Sequence, residues 1–243
     1  RSTLFPYTTL FRSRSRSIAK YCKWCGEPLV VSNVLDKLVG LEDVKTQLKT
    51  IVDTYTFLHS RKDISTVRLS VNAIIIGETG TGKTSLAEIL RDYFYQHKII
   101  EKPKLTMVDA VDYSRFVDHW DDNIKKARNG ILFFDNVQKL LPDKYSNQVN
   151  PLDKLFVEMD HWEDNPIVVI AGLPKGLEDF LTSNPAVANR FKSTFRLPTP
   201  GPVELCQICK SVLRTKYGLT DYSPAANDKL LRFFKHQVKT KED

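Results

Sequence analysis

The chain has 243 residues, 42% of them apolar and 27% charged, which is enough for a sizeable core and ordinary for a globular protein. No apolar run approaches the roughly 18–20 residues that cross a bilayer, and no signal-peptide core precedes a small-residue cleavage site, so the reading is a soluble, cytoplasmic protein with no membrane partner. The formal charge of +7 is weak evidence for a polyanion: Arg1, Arg12, Arg14, Arg16 and Lys20 supply five of those charges with no acid among residues 1–20, leaving +2 elsewhere, so a nucleic-acid partner is not expected.

The first segment, STLFPYTTLFRS (2–13), back-translates to a widely used sequencing-adapter oligonucleotide read in frame. Residues 1–13 are therefore expected to be an artefact outside fold reasoning, and the chain to be a fragment. In residues 14–32, Cys22 and Cys25 followed by Gly26 have the spacing of one half of a zinc-ribbon knuckle, with two thiolates on a tight turn that could hold Zn²⁺. An incidental pair or a redox turn is the alternative. A complete site needs a second pair, which is expected to have preceded this one.

After a polar joint, LEDVKTQLKTIVDTYTFL (41–58) places Leu41, Val44, Leu48, Ile51, Tyr55 and Leu58 at steps of three and four, the stripe of an amphipathic helix. NAIIIG (72–77), KLTMVD (104–109), GILFFD (130–135) and PIVVIAG (166–172) are short and uniformly apolar, which predicts strands buried on both faces. Helical patterns at 84–96, 121–129 and 150–162 separate them; in the last, Asn150 is a candidate cap and Pro151 suits the first turn. This alternation predicts an α/β fold, a parallel sheet sandwiched by helices, over residues 33–200. Residues 201–243 carry two helical patterns and no strand, an incomplete helical lid. Within it, CQIC (206–209) lies in a helix whose buried side would hold Leu205, Ile208, Cys209, Val212 and Leu213, so Cys206 and Cys209 are read as core packing rather than a second zinc pair.

GETGTGKT (77–84) fits the phosphate-binding pattern G-x-x-x-x-G-K-[ST] in its required setting, after a buried strand and before a helix. Gly77, Gly80 and Gly82, with Thr79 and Thr81 between them, let successive backbone N–H groups face phosphate oxygens, aided by the helix dipole. Lys83 is placed to neutralise the β- and γ-phosphates and the Thr84 hydroxyl to ligate Mg²⁺. Ser85 is a further candidate contact, or simply the next helical residue. Asp135, at a strand end about fifty residues on, fits the acid that holds the Mg²⁺ shell.

With these residues in place the chain resembles an AAA+ ATPase, in the branch that includes red-type Rubisco activase and stage V sporulation protein K. The resemblance runs through LDKLVGLEDVKTQL (35–48), GETGTGKTSLAEIL (77–90), GILFFDN (130–136), VVIAGLPKGLEDFLTSNPAVANRF (168–191) and TPGPVELCQICKSVL (199–213). It implies ATP as ligand, with Val39, Gly40 and Leu41 on the adenine side. It implies that Arg190 is an arginine finger reaching a neighbouring subunit's γ-phosphate, where the residues alone favour an arginine paired with a local acid. A finger acting in trans implies a ring of copies, six in this family, which remodels a protein partner. The pore-loop segment SRFVDHWDDN (114–123) departs from the family pattern; Phe116 and Trp120 are its candidate aromatics, or else pack on the sheet.

Three positions depart from the resemblance. Asn136 stands where the family places Glu, the group that polarises the attacking water; an amide orients water but takes no proton, and losing a general base costs on the order of 10²–10⁴ in rate. The tip of the next strand falls at Gly172 or Leu173, neither of which positions water. Ala188 stands where this branch often has another arginine. The expectation is an ATPase with weakened hydrolysis, its rivals a non-hydrolysing ATP-gated scaffold and, more distantly, a zinc-ribbon nucleic-acid adaptor. The lid arginine of the family would follow KLLRFFKHQVKTKED, so no such residue is assigned.

Overall fold

In a computed structural model, the structure describes residues 34–60, 70–140, 152–162, 165–217, 219 and 222–239. The chain divides into a unit of Arg1–Asn33, outside the described residues and with it Cys22 and Cys25, and a unit of Val34–Asp243.

The second unit opens with a short 3-10 turn and α1 (Glu42–Ser60), followed by β1 (Ala73–Gly77), α2 (Lys83–Gln96) and β2 (Leu105–Asp109). Then come α3 (Tyr113–Asp118), α4 (Trp120–Ala127), β3 (Ile131–Asp135), α5 (Asp153–Trp162) and β4 (Ile167–Gly172). The chain continues through α6 (Pro174–Ser183), α7 (Pro185–Ala188), β5 (Ser193–Leu197), α8 (Pro202–Tyr217) and α9 (Pro224–Lys239). The strands form one parallel sheet in the order β2-β3-β4-β1-β5. The proposed cap Asn150 and Pro151 lie outside the described residues.

Side chains alternate across a strand, and here each alternation feeds a different core. Ala73 and Ile75 of β1, Ile131 and Phe133 of β3 and Val169 of β4 face α1 and α2, meeting Val44, Leu48, Leu86, Leu90 and Phe94. Ile74, Ile76, Leu132, Phe134, Val168 and Ile170 face the other way, onto Phe116, Trp120, Ile124, Leu155, Phe156 and Leu177. β1, β3 and β4 are thus buried on both faces, as their uniform apolarity predicts.

β2 is not. It pairs with β3 alone and is the sheet edge, so Met107 is 52% exposed despite an equally apolar sequence. β5, the opposite edge, has no counterpart among the predicted strands: only Phe195 and Leu197 of its five residues are buried, and the polar ones hid it. The segment 114–123 is not a loop. Phe116 and Trp120 are buried core residues, stacked edge to face at 5.5 Å, with Phe116 also 5.5 Å from Phe134 and Trp120 5.9 Å from Trp162. The pore-aromatic reading of both is corrected accordingly: α3 and α4 exist because these rings cover the sheet.

In the helical pair after β5, α8 packs chiefly on α9. The expected stripe is turned by about one position: Cys206 is buried, whereas Ile208 and Val212 are 38% and 43% exposed. Phe133→Ala removes a fully buried ring and is expected to cost roughly 3–5 kcal/mol in urea unfolding, while Met107→Ala at the open edge should cost under about 1 kcal/mol.

Candidate active site at the carboxyl ends of the strands

The loop after β1 is shaped by residues that only glycine tolerates well: Gly80 and Gly82 have φ of 83° and 94°, and Gly82 leads directly into α2. The first turn of α2 carries no acid and its cap no side-chain bond, so its amide dipoles face the loop uncompensated. Lys83 is buried at 8% exposure, and its Nζ donates to the carbonyls of Gly77 and Glu78, 2.9 Å each. The ammonium therefore sits inside the curl of the loop. Thr81 tightens that curl through Oγ1, which donates to the Glu78 carbonyl at 2.8 Å. Thr79 is exposed on the loop, and Ser85 is exposed on α2.

Two strands away, Asp135 closes β3. The Thr84 hydroxyl donates to its Oδ2 at 3.1 Å, and the Asn136 backbone N–H donates to its Oδ1 at 2.8 Å. A hydroxyl and a carboxylate converging from α2 and β3 are hard oxygen donors of the kind Mg²⁺ takes while keeping several waters. Asn136 has φ 57° and ψ 33°, a left-handed conformation that asparagine adopts more readily than most residues. Its side chain turns away from Asp135, and Nδ2 donates to Asp109 Oδ2 at 2.7 Å. Asp109 Oδ1 accepts from the Val111 N–H at 3.0 Å. The Val111 and Asn136 hydrogen bonds hold the Asp109 carboxyl below its ordinary range, with the Lys139 charge contributing in the same direction.

The tip of β4 is occupied from outside. Gln138 Oε1 accepts from the Leu173 N–H at 3.2 Å, and a Cβ on Gly172 would lie only 2.7 Å from that oxygen. The missing side chain at 172 thus makes room for an amide delivered from the turn after β3. Asp109 and Gln138 are the residues that sequence reasoning passed over. KLTMVD ends on an acid as ILFFD does, which was a usable signal for the first; nothing in the sequence signals the second.

Val39, Gly40 and Leu41 lie before α1, with Gly40 and Leu41 both at positive φ. Val39 and Asp36 line one side of an open cleft of about 790 Å³ whose other side includes Lys210, Ser211 and Arg214 of α8 and Tyr222. Arg190, just after α7, holds Asp160 of α5 in a two-pronged pair, Nε to Oδ1 at 2.9 Å and Nη2 to Oδ2 at 2.6 Å. This is the local acid that the residues alone anticipated. Hydrogen bonding to Arg190 lowers the Asp160 pKa from its ordinary 3.8. Cys206 and Cys209 are free thiols, and among the described residues no group of three or more His, Cys, Asp or Glu side chains could hold a metal ion.

Residues 73–199, more than half of the chain and spanning β1 to just beyond β5, match the ATPase family associated with various cellular activities (AAA). The chain belongs to the AAA family of ATPases. Among relatives of this AAA ATPase, the chloroplastic ribulose bisphosphate carboxylase/oxygenase activase of Cyanidioschyzon merolae is 27% identical over 222 residues, 86% of this chain and 75% of the relative. Stage V sporulation protein K of Bacillus subtilis is 24% identical, covering 75% of this chain and 59% of its own length. The ESX-1 secretion system protein EccA1 of Mycobacterium leprae is 27% identical over 73% of this chain, which spans only 33% of that larger protein. A chain of the E. coli HORMA:CdnC:Trip13 complex shares the fold, with a TM-score of 0.51 at 19% identity over 82% of this chain and 75% of its own.

In this AAA ATPase the Arg190–Asp160 pair has a pH signature. Because Asp160 is depressed in the folded state, its contribution is present above the unfolded pKa of about 3.8 and is lost as pH falls through the lower folded value. The difference in melting temperature between the wild type and Asp160→Asn should therefore be constant near neutrality and shrink toward zero in acid.

Proposed function

We propose that this AAA ATPase binds Mg-ATP at the 77–84 loop and couples slow turnover to remodelling of a protein partner, working as a ring of copies, six as the family resemblance implies. The observation that carries the reading is the convergence of Lys83, Thr84 and Asp135 on one loop, with Thr84 and Asp135 hydrogen-bonded at 3.1 Å. In this reading the loop amides from Gly77 to Thr84, including Thr79, Gly80, Thr81 and Gly82, hold the phosphates, with Ser85 at the margin. Lys83 neutralises charge as it builds on the γ-phosphate, and Thr84 and Asp135 hold Mg²⁺, which when bound shields the phosphate oxygens. Val39, Gly40 and Leu41 contact the adenine, a role supported by the cleft that Val39 shares with α8.

Slow turnover follows from Asn136. Its amide has no basic site for the proton of the attacking water, and its NH₂ group is committed to Asp109. That same observation favours the second reading, a scaffold that binds ATP and does not cleave it. Arg190 acts as a finger in trans, with Asp160 holding the guanidinium until a neighbouring phosphate competes for it. Asp160 is 54% exposed on its side chain, and that exposure supports such an exchange.

A protein partner is inferred because relatives are named as an activase of another enzyme and as part of a secretion system. The near-neutral charge outside residues 1–20 speaks against nucleic acid, and no helix among the described residues is long and apolar enough to cross a membrane. We place the protein in the cytoplasm, with residues 33–200 as the nucleotide-binding domain and 201–243 as a lid. The Cys22 and Cys25 zinc reading rests on spacing alone, outside the described residues; the burial of Cys206 in α8 supports leaving that helix out of it.

Asn136→Glu should speed single-turnover ATP cleavage on the order of 10²-fold or more; equal rates for the two proteins would refute slow turnover, and no cleavage by the wild type would establish the scaffold. Lys83→Ala copies, which keep Arg190, mixed with Arg190→Ala copies, which keep the loop, should cleave ATP when neither does alone. Failure of the mixture to recover activity would return Arg190 to a purely local role.

A further inference from the structure

We propose that Asp109 supplies the carboxylate that position 136 lacks, receiving first the hydrogen bond and then the proton of the water that attacks the γ-phosphate. This rests on the reading of the chain as an ATP hydrolase and assigns the residue that carries its slow turnover.

Register places the two acids. β2 and β3 are parallel with Asp109 opposite Asp135, and neighbouring strands lie about 4.8 Å apart. The two acids therefore leave the sheet side by side at its carboxyl edge, where open α/β sheets hold their ligands. Asp135 is assigned to Mg²⁺ in the reading above, beside the Thr84 hydroxyl that one of its oxygens accepts while the other takes the Asn136 N–H. Asp109 is tied instead to Asn136, whose left-handed backbone swings the amide across to it and whose Nδ2 donates to Oδ2 at 2.7 Å. With an amide at 136, the carboxylate that stands beside Asp135 at this edge is that of Asp109. The acid is thus displaced by one strand and returned to the site by the amide that replaced it.

The remaining bonds fix the position of Asp109, and because they lower its basicity they agree with slow turnover. Oδ1 accepts the Val111 N–H, which fixes the carboxylate rotamer, and each carboxylate oxygen keeps a further lone pair for water. Asp109 is only half-buried, so solvent reaches it. In the step itself, the water oxygen forms the new bond to the γ-phosphorus while the bond from that phosphorus to the β–γ bridging oxygen breaks. Its electron pair leaves with ADP, and the water proton passes to Asp109 and then to solvent. Asn136 moves no proton; it holds the base.

The test uses the full chain and Mg-ATP in single-turnover cleavage, together with a fluorescent ATP analogue to read binding and thermal melting to read folding. Asp109→Asn still accepts the Val111 amide, as does Asp109→Ser, read in parallel. Both should bind the analogue within about twofold of wild type and lose cleavage on the order of 10²-fold. Adding Asn136→Glu to Asp109→Asn should restore cleavage to the wild-type rate or above, whereas a merely structural Asp109 would show itself in the single variants as weakened analogue binding or a lowered melting temperature. Cleavage by Asp109→Asn or Asp109→Ser at the wild-type rate with binding intact overturns the assignment and leaves the hydrolase reading standing. A wild type that binds the analogue yet cleaves no faster than Lys83→Ala overturns both.

Discussion

The double-sided burial of β1, β3 and β4 is the constraint from which the site follows. Ile74 and Ile75, Phe133 and Phe134, Val169 and Ile170 face opposite cores, and all six are at 2% exposure or less. A polar side chain anywhere along these strands would lose its water without a partner, at a cost of several kcal/mol on the order given by transfer data. Polar chemistry is therefore pushed to the strand ends. Gly77 hands over to the phosphate loop there, and Asp135, Asn136 and the Gln138 amide gather at the same edge.

At that edge the groups are linked in series rather than set out singly. Thr84 donates to Asp135, Asp135 accepts from the Asn136 backbone, and the Asn136 side chain donates to Asp109. Such chains of bonds in a partly dry setting make each member's orientation depend on its neighbours. Asn136 enters this chain as a donor, which a carboxylate could not do. Its amide meets the Asp109 carboxylate with a hydrogen bond, so Asn136 and Asp109 are matched to one another. Seen alone in the sequence, Asn136 is a loss; seen with its partner, it is half of a pair.

A similar exchange occurs at the tip of β4. Gly172 offers no side chain, and its bareness admits Gln138 from the preceding turn. Arg190 shows the opposite situation, since a pairing with a local acid was readable from the residues: the chain holds it against Asp160 in a geometry that is bidentate yet open to solvent on the acid's side.

What the sequence determined by itself was whatever rests on local pattern. Strands buried on both faces are apolar throughout, so β1, β3 and β4 were legible, as were the stripe of α1 and the glycines of the phosphate loop, whose φ values admit few other residues. Lys83, Thr84 and Asp135 followed from spacing to that loop. Tertiary structure alone decided what depends on strand order and register. It made β2 an edge despite its apolar sequence, and β5 a strand despite its polar one. It buried Phe116 and Trp120 by folding their segment into α3 and α4. Above all it brought Asp109, 27 residues before Asn136, to within 2.7 Å of it. β2 and β3 follow one another in the chain, but no local pattern says that they pair side by side or in the register that sets Asp109 opposite Asp135.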